Sequence, residues 1–206
     1  MTGAYKFIYT KLKWAFMLFY RLRFVGAENE PDEGPLLVCS NHISAADPFL
    51  VSAATRNQIS YMAKKELFGV PIVGSILRSA GSFPVDRKGN DVGAVKKAIA
   101  ILNGGGRVGI FPQGTRRPGE DPRKTDVKNG SAMIAARTGV DILPVFIHRK
   151  NNTPRLFRKT TVIIGKPIKF SELGYDPEKS GEYARISERI FDEICKLGED
   201  FVKCQR

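Results

Sequence analysis

The stretch Leu36-Leu37-Val38-Cys39-Ser40-Asn41-His42-Ile43-Ser44-Ala45-Ala46-Asp47-Pro48-Phe49 opens on four apolar residues and closes on Asp-Pro. The apolar run reads as a short strand. Pro48 suits the first position of a helix and Asp47 its cap. Strand, loop and helix thus follow one another directly, and the pattern repeats outward. Further strands are expected at Ile59–Met62, Ser82–Val85, Val108–Phe111, Ile142–Ile147 and Thr161–Ile164. Helical patterns lie among them at Pro48–Thr55, Ile72–Arg78, Asp91–Leu102 and Val127–Arg137. A last helix, Pro177–Leu197, carries Tyr183, Ile186, Ile190, Phe191, Ile194 and Leu197 on one stripe. This alternation predicts an α/β fold with a mixed, mostly parallel sheet flanked by helices. Asn103-Gly104-Gly105-Gly106 reads as a helix stop without a phosphate-cradling motif.

Composition sets the outer limits. The 206 residues are 42% hydrophobic and 26% charged, which excludes disorder as the main state. A chain of this size buries a core without metal or disulfide staples. Cys39, Cys195 and Cys204 are odd in number and widely spaced, so no disulfide framework is expected. Cys39, in an apolar strand, reads as core.

Within the opening stretch, His42 falls in the loop between strand and helix, where reactive groups are commonly exposed. Residues five apart in a continuous helix point about 140° apart, so His42 and Asp47 meet only if the chain turns between them. A strand–loop–helix junction supplies that turn. Paired there, Asp47 could hold one ring nitrogen and leave the other as a base. The plain alternative is that Asp47 only caps its helix and His42 is a surface residue. Two further blocks, Gly81-Ser82-Phe83-Pro84-Val85-Asp86-Arg87 and Ile110-Phe111-Pro112-Gln113-Gly114-Thr115-Arg116, each end in an arginine just past a strand. Two such arginines could converge on one anion, because a guanidinium fork matches a phosphate; taken singly, each reads as a surface arginine paired with Asp or Glu.

Together these blocks resemble the 1-acylglycerol-3-phosphate acyltransferases and the wider lysophospholipid acyltransferase superfamily. That family's Asn-His-x4-Asp motif is matched by Asn41, His42 and Asp47. Its motif ending in Asp-Arg is matched by Phe83 to Arg87, its Phe-Pro-Glu-Gly-Thr-Arg motif by Phe111 to Arg116, and its Pro-Val stretch by Ile142 to Val145. Ala63-Lys64-Lys65-Glu66-Leu67 and Lys128-Asn129-Gly130 also fit, and the likeness runs from about Arg23 to Lys169. One position departs. Gln113 stands where the family usually has glutamate, keeping the shape and a carbonyl acceptor but losing the charge. It could still bond a glycerol hydroxyl or the backbone.

The resemblance implies acyl transfer from a thioester, acyl carrier protein or coenzyme A, to the sn-2 hydroxyl of lysophosphatidic acid, giving phosphatidic acid. His42 would be the general base and Asp47 its orienter. Lys64, Arg87, Gln113, Gly114, Thr115 and Arg116 would meet the acceptor's phosphate and glycerol. The uncharged run Leu67 to Leu77 could line a slot for the acyl chain, with Leu67, Phe68, Val70, Ile72 and Val73 as its wall, or be a short buried helix and turn. His148 reads as non-catalytic. No bound cofactor and no metal are expected; acyl-ACP or acyl-CoA is a co-substrate.

The net charge is +12. Residues 1–24 carry five bases and no acid, and residues 142–171 carry seven and no acid, so the remainder is neutral. The first segment also holds eight aromatics, among them Trp14, Phe19 and Tyr20. It is too interrupted to span a bilayer or to serve as a signal peptide. Its mixture predicts an N-terminal membrane-interfacial helix, residues 1–24, ahead of a single domain, 25–206; its bases do not gather on one helical face, and the alternative is a helix packed on the domain with its lysines in solvent. The expected partner is a membrane surface with anionic lipids, met from the cytoplasmic face as a peripheral or monotopic protein. Another lysolipid acceptor, an inactive membrane-binding module and a nucleic-acid binder are the other readings. The last rests on charge alone, without a nucleic-acid motif, and no nucleic-acid partner is expected.

Overall fold

Leu36–Ser40 form a strand in which every residue is buried, because apolar layers cover both of its faces. The structure, a computed structural model, describes residues 17–86 and 92–205. In chain order its elements are β1 (Leu22–Val25), β2 (Leu36–Ser40), α1 (Asp47–Ala54), β3 (Ile59–Lys64), α2 (Pro71–Ser79), β4 (Phe83–Val85), α3 (Val92–Asn103), β5 (Arg107–Ile110), α4 (Gly130–Thr138), β6 (Ile142–His148), β7 (Thr160–Ile164) and α5 (Glu182–Lys203), with short 3-10 turns between them.

The strands form one sheet in the order β1-β7-β6-β2-β5-β3-β4. All neighbours are parallel except β6 and β7, which are antiparallel. The mixed, mostly parallel sheet is the one expected. Strand alternation sends Leu37 and Cys39 into a core shared with α3, α4 and α5. Leu36 and Val38 enter a second core on the opposite face, with Leu50 and Val51 of α1. Burial pushes the Cys39 thiol far above the ordinary thiol range, as befits a core residue.

The chain leaves β2 toward β5 and β3 on one side, and β6 lies on the other. The carboxyl end of β2 is therefore a topological switch point, the crevice where α/β sheets bind ligands. The amino ends are closed differently. There Arg107 of β5 pairs with Glu30, and both are almost wholly buried.

The N-terminal expectation is corrected in part. Residues 1–16 lie outside the described residues. Residues 17–20 are helical, but Leu22–Phe24, expected as helix, belong to β1 and pair with Thr160–Val162 of β7. No helix among the described residues is long and apolar enough to cross a membrane.

Candidate active site

Asn41 continues the sheet after β2 has ended. Its side chain accepts from Ile147 N–H at 2.7 Å and donates to Ile147 C=O at 3.1 Å, mimicking a strand residue beside β6. This locks the chain just where it must leave the sheet. His42 follows. Its Nδ1 lies 3.0 Å from Asp47 Oδ2. The same oxygen accepts from Ile43 N–H and Ser44 N–H, each at 2.6 Å. Asp47 is the first residue of α1, with Ala46 at the N-cap. It therefore ties the preceding loop to the imidazole instead of capping its own helix, a correction to the cap reading.

Asp47 is fully buried and His42 is 7% exposed. An ionised carboxylate only accepts, so Nδ1 carries the proton and Nε2 is left as the basic atom. The ring stacks on Phe111, centroids 4.0 Å apart and 18° between planes, and Phe111 stacks in turn on Tyr61.

Gln113 holds the loop after β5 against the histidine. Its Oε1 accepts from His42 N–H at 2.7 Å and its Nε2 donates to Thr125 Oγ1 at 2.8 Å. Both ends of the buried amide are spent inside the protein, so the backbone role is the one it fills. Gly114, with φ of 69°, lies where a Cβ would come within 3.0 Å of the Lys128 side chain. Lys128 N–H bonds Pro112 C=O, fastening this loop from outside.

Gly114, Thr115 and Arg116 are exposed. Arg117 is tied by its backbone to His42 C=O and by its side chain to Glu120 and Asp126, whereas Arg116 has no ion pair among the described residues. Lys64 ends β3 at the same edge of the sheet and pairs with Glu66 at 3.6 Å, an exposed and screened pair. Arg87 lies outside the described residues. The apolar run differs from expectation. Leu67, Val70, Ile72 and Val73 are all exposed and Phe68 is half-buried, so they form an apolar ridge and not a closed slot or a buried helix. The cause is local: α2 folds back on its own preceding turn, where Gly74 meets the Phe68 backbone too closely for any Cβ. His148 packs edge-on to Phe201, and burial together with Lys159 lowers its pKa.

Sequence reasoning missed Arg149. It follows β6, is 3% exposed, and brings Nη2 to 3.7 Å from Asp47 Oδ1. Its Nε donates to Thr160 Oγ1 and its guanidinium lies over the Tyr20 ring, 5.1 Å from the centroid. Burial lowers its pKa and Asp47 raises it; an arginine stays charged under such opposing pressures. In the sequence it is one of seven bases in a row of loop and strand, with nothing to mark it as buried.

A buried carboxylate holding an imidazole by one nitrogen, beside an arginine without an ion pair among the described residues, at a switch point, is an arrangement able to take a proton from a bound substrate. A family model described as Acyltransferase matches residues 21–148, more than half of the chain, and the chain belongs to this family. It is 31% identical to the 1-acyl-sn-glycerol-3-phosphate acyltransferase of Bacillus subtilis over 94% of this chain and 96% of that one. It is 34% identical to the enzyme of that name from Streptococcus pneumoniae, over 82% of this chain and 62% of the relative. The crystal structure of the 1-acyl-sn-glycerophosphate (LPA) acyltransferase, PlsC, from Thermotoga maritima matches with a TM-score of 0.74 at 27% identity, over 96% of this chain and 81% of that one.

Proposed function

We propose that this enzyme transfers a fatty acyl group from a thioester to the free hydroxyl of lysophosphatidic acid. The observation that carries the reading is the His42–Asp47 pair, with Nδ1 held and Nε2 left basic. An alcohol is a poor nucleophile at neutral pH. Nε2 removes the hydroxyl proton as the oxygen attacks the thioester carbonyl carbon, a contribution of about 10²–10⁴-fold. The ester C–O bond forms, the C–S bond breaks, and the imidazolium returns its proton to the departing thiolate. Asp47 stabilises the imidazolium in between. The substrate hydroxyl is itself the nucleophile, so the mechanism needs no acyl-enzyme. Arg116, Arg87 and Lys64 are the proposed partners of the acceptor phosphate, and acyl carrier protein or coenzyme A carries the donor. The reaction takes place at the cytoplasmic face of a membrane, where both lipid substrate and product reside.

The test is transfer of labelled acyl thioester to a panel of lysolipids, with His42→Ala as the blank. Wild type is expected to prefer lysophosphatidic acid. His42→Ala is expected to lose at least about 100-fold in kcat with an unchanged circular dichroism spectrum. Retained turnover in the variant removes the general base.

A further inference from the structure

The catalytic pair uses one side of Arg149. The other side of that residue borders a cavity of about 550 Å³ at the turn joining β6 to β7. Its cationic lining is Arg21, Arg149, Lys150, Arg155, Arg158 and Lys159, and among the described residues no acid lines it. Arg149 is the one member with an ion pair among the described residues, the contact to Asp47. Its two terminal nitrogens are buried and make no hydrogen bond among the described residues. Arg149 is buried at the base of this open cavity and the other five cations are exposed around it; like charges gathered without a counter-ion favour an anion between them.

Backbone strain gathers at the same place. Among the described residues the non-glycine positions with left-handed φ are Arg21, Asn151, Asn152 and Phe157, and three of these line the cavity. Asparagine tolerates that region, but arginine and phenylalanine do not favour it. Strain of this kind marks clamps and binding loops. The rim is apolar as well. Leu156 and Phe157 are more than half exposed, and Phe157 leans on Phe19, which is itself exposed beside Leu18. Phe157 N–H donates to Phe19 C=O at 2.6 Å, binding the two segments together.

A soluble phosphate would use the cations and leave the apolar tip in water. A neutral apolar partner would leave the cations unmatched. An amphiphile with an anionic head satisfies both, since cations sit at headgroup level and apolar side chains enter the acyl boundary. We infer that this cavity, with its Leu156–Phe157 tip, is the docking site of the enzyme on the bilayer, receiving the headgroup of an anionic phospholipid. Neither Arg116 nor Lys64, the proposed partners of the acceptor's phosphate, lines it, and the inference rests on the reading that the enzyme works at a membrane. The buried end of the cluster touches Asp47, so docking and catalysis share one guanidinium.

The full chain is floated with vesicles of phosphatidylglycerol and phosphatidylcholine, and with phosphatidylcholine alone. Arg155→Glu combined with Arg158→Glu should lower binding to the anionic vesicles by about tenfold or more. Binding to neutral vesicles, and kcat/KM in neutral detergent micelles, should stay within about twofold. Phe157→Gly removes the apolar tip and the strained φ together. It should lower flotation without lowering the melting temperature. Unchanged flotation of both variants overturns the inference, as does an equal loss on neutral vesicles. A raised KM for lysophosphatidic acid in micelles, with flotation intact, also overturns it and assigns the cavity to the acceptor. A wild type that docks but transfers no acyl group leaves this inference standing and removes the activity it was joined to.

Discussion

Asp47 directs one oxygen at three donors and turns the other toward a guanidinium that offers it no hydrogen bond. A carboxylate this buried needs a compensating charge, and Arg149 is the cation facing it. Removing one partner of a buried pair costs about 3 kcal/mol or more. Arg149→Met is therefore expected to lower stability by about that amount, read from the urea midpoint. In detergent micelles kcat should fall by about tenfold, part of what a positioned base contributes, with both KM values little changed. Arg149→Lys should recover some of kcat, because it keeps the charge without the fork. An unchanged kcat in the Met variant would show that Asp47 holds the imidazole unaided. The dyad was legible in the sequence only through the Asn-His-x4-Asp resemblance, since His42 and Asp47 by themselves read as well as a surface residue and a helix cap. The buried arginine was not, since a run of bases carries no mark of depth. Gln113 shows a related limit. Its Nε2 donates to Thr125 Oγ1 while the threonine hydroxyl donates to Pro122 C=O. A glutamate there would accept from that hydroxyl and take it from Pro122, so the amide suits this loop in a way its sequence neighbours do not reveal.

At the scale of elements, six of the seven strands among the described residues and the helices α1 to α5 fall within a few residues of where hydrophobic pattern and turn chemistry put them. The missed strand, β1, has four residues, none of them buried, and lies at a sheet edge with Arg23 exposed. It lacks the length that makes an apolar pattern visible. The last helix begins later than expected, after Gly181, and its first residue explains why. Glu182 bonds Arg185 and accepts from the backbone N–H of Asp176, fastening the turn 176–181 ahead of the helix. The hydrogen bonds from Arg185, and then from Asp176 N–H, hold its pKa down at about 2 against an ordinary 4.5. A carboxyl depressed in the folded state contributes stability that is complete above its unfolded pKa and lost as pH falls through the folded one. Wild type should therefore exceed Glu182→Gln in melting temperature at neutral pH. The margin should shrink below pH 4.5 and vanish near pH 2. Arg185 is half-exposed, so screening limits its size. A margin that is constant over that range would mean that the carboxylate charge contributes nothing.

For the molecule as a whole, the excess charge divides differently in space than along the chain. Lys169, counted with the second basic segment, bonds Asp141 at the opposite end of β6 from the cluster at 149–159. Arg21, counted with the first, joins that cluster. The two segments therefore meet where residues 17–25 cross β7, and the boundary expected at residue 24 cuts through packed structure. Leu22 and Phe24 lean on the second core, and Tyr20 lies beneath Arg149. Deleting residues 1–24 removes all but the last residue of an edge strand, bares the outer edge of β7 and takes away the half-buried Tyr20, Leu22 and Phe24, each worth a part of the roughly 1.5–3 kcal/mol that full burial brings. Deleting residues 1–16 keeps every residue of β1. The longer deletion is expected to melt about 10 °C below the shorter one, since roughly 2–4 °C accompanies each kcal/mol in a domain of this size. It should also aggregate through the bared strand, which light scattering during the melt would register. Equal melting temperatures would show that β1 is a passive edge, and that the domain does begin where the change from aromatic–basic to mixed composition suggested.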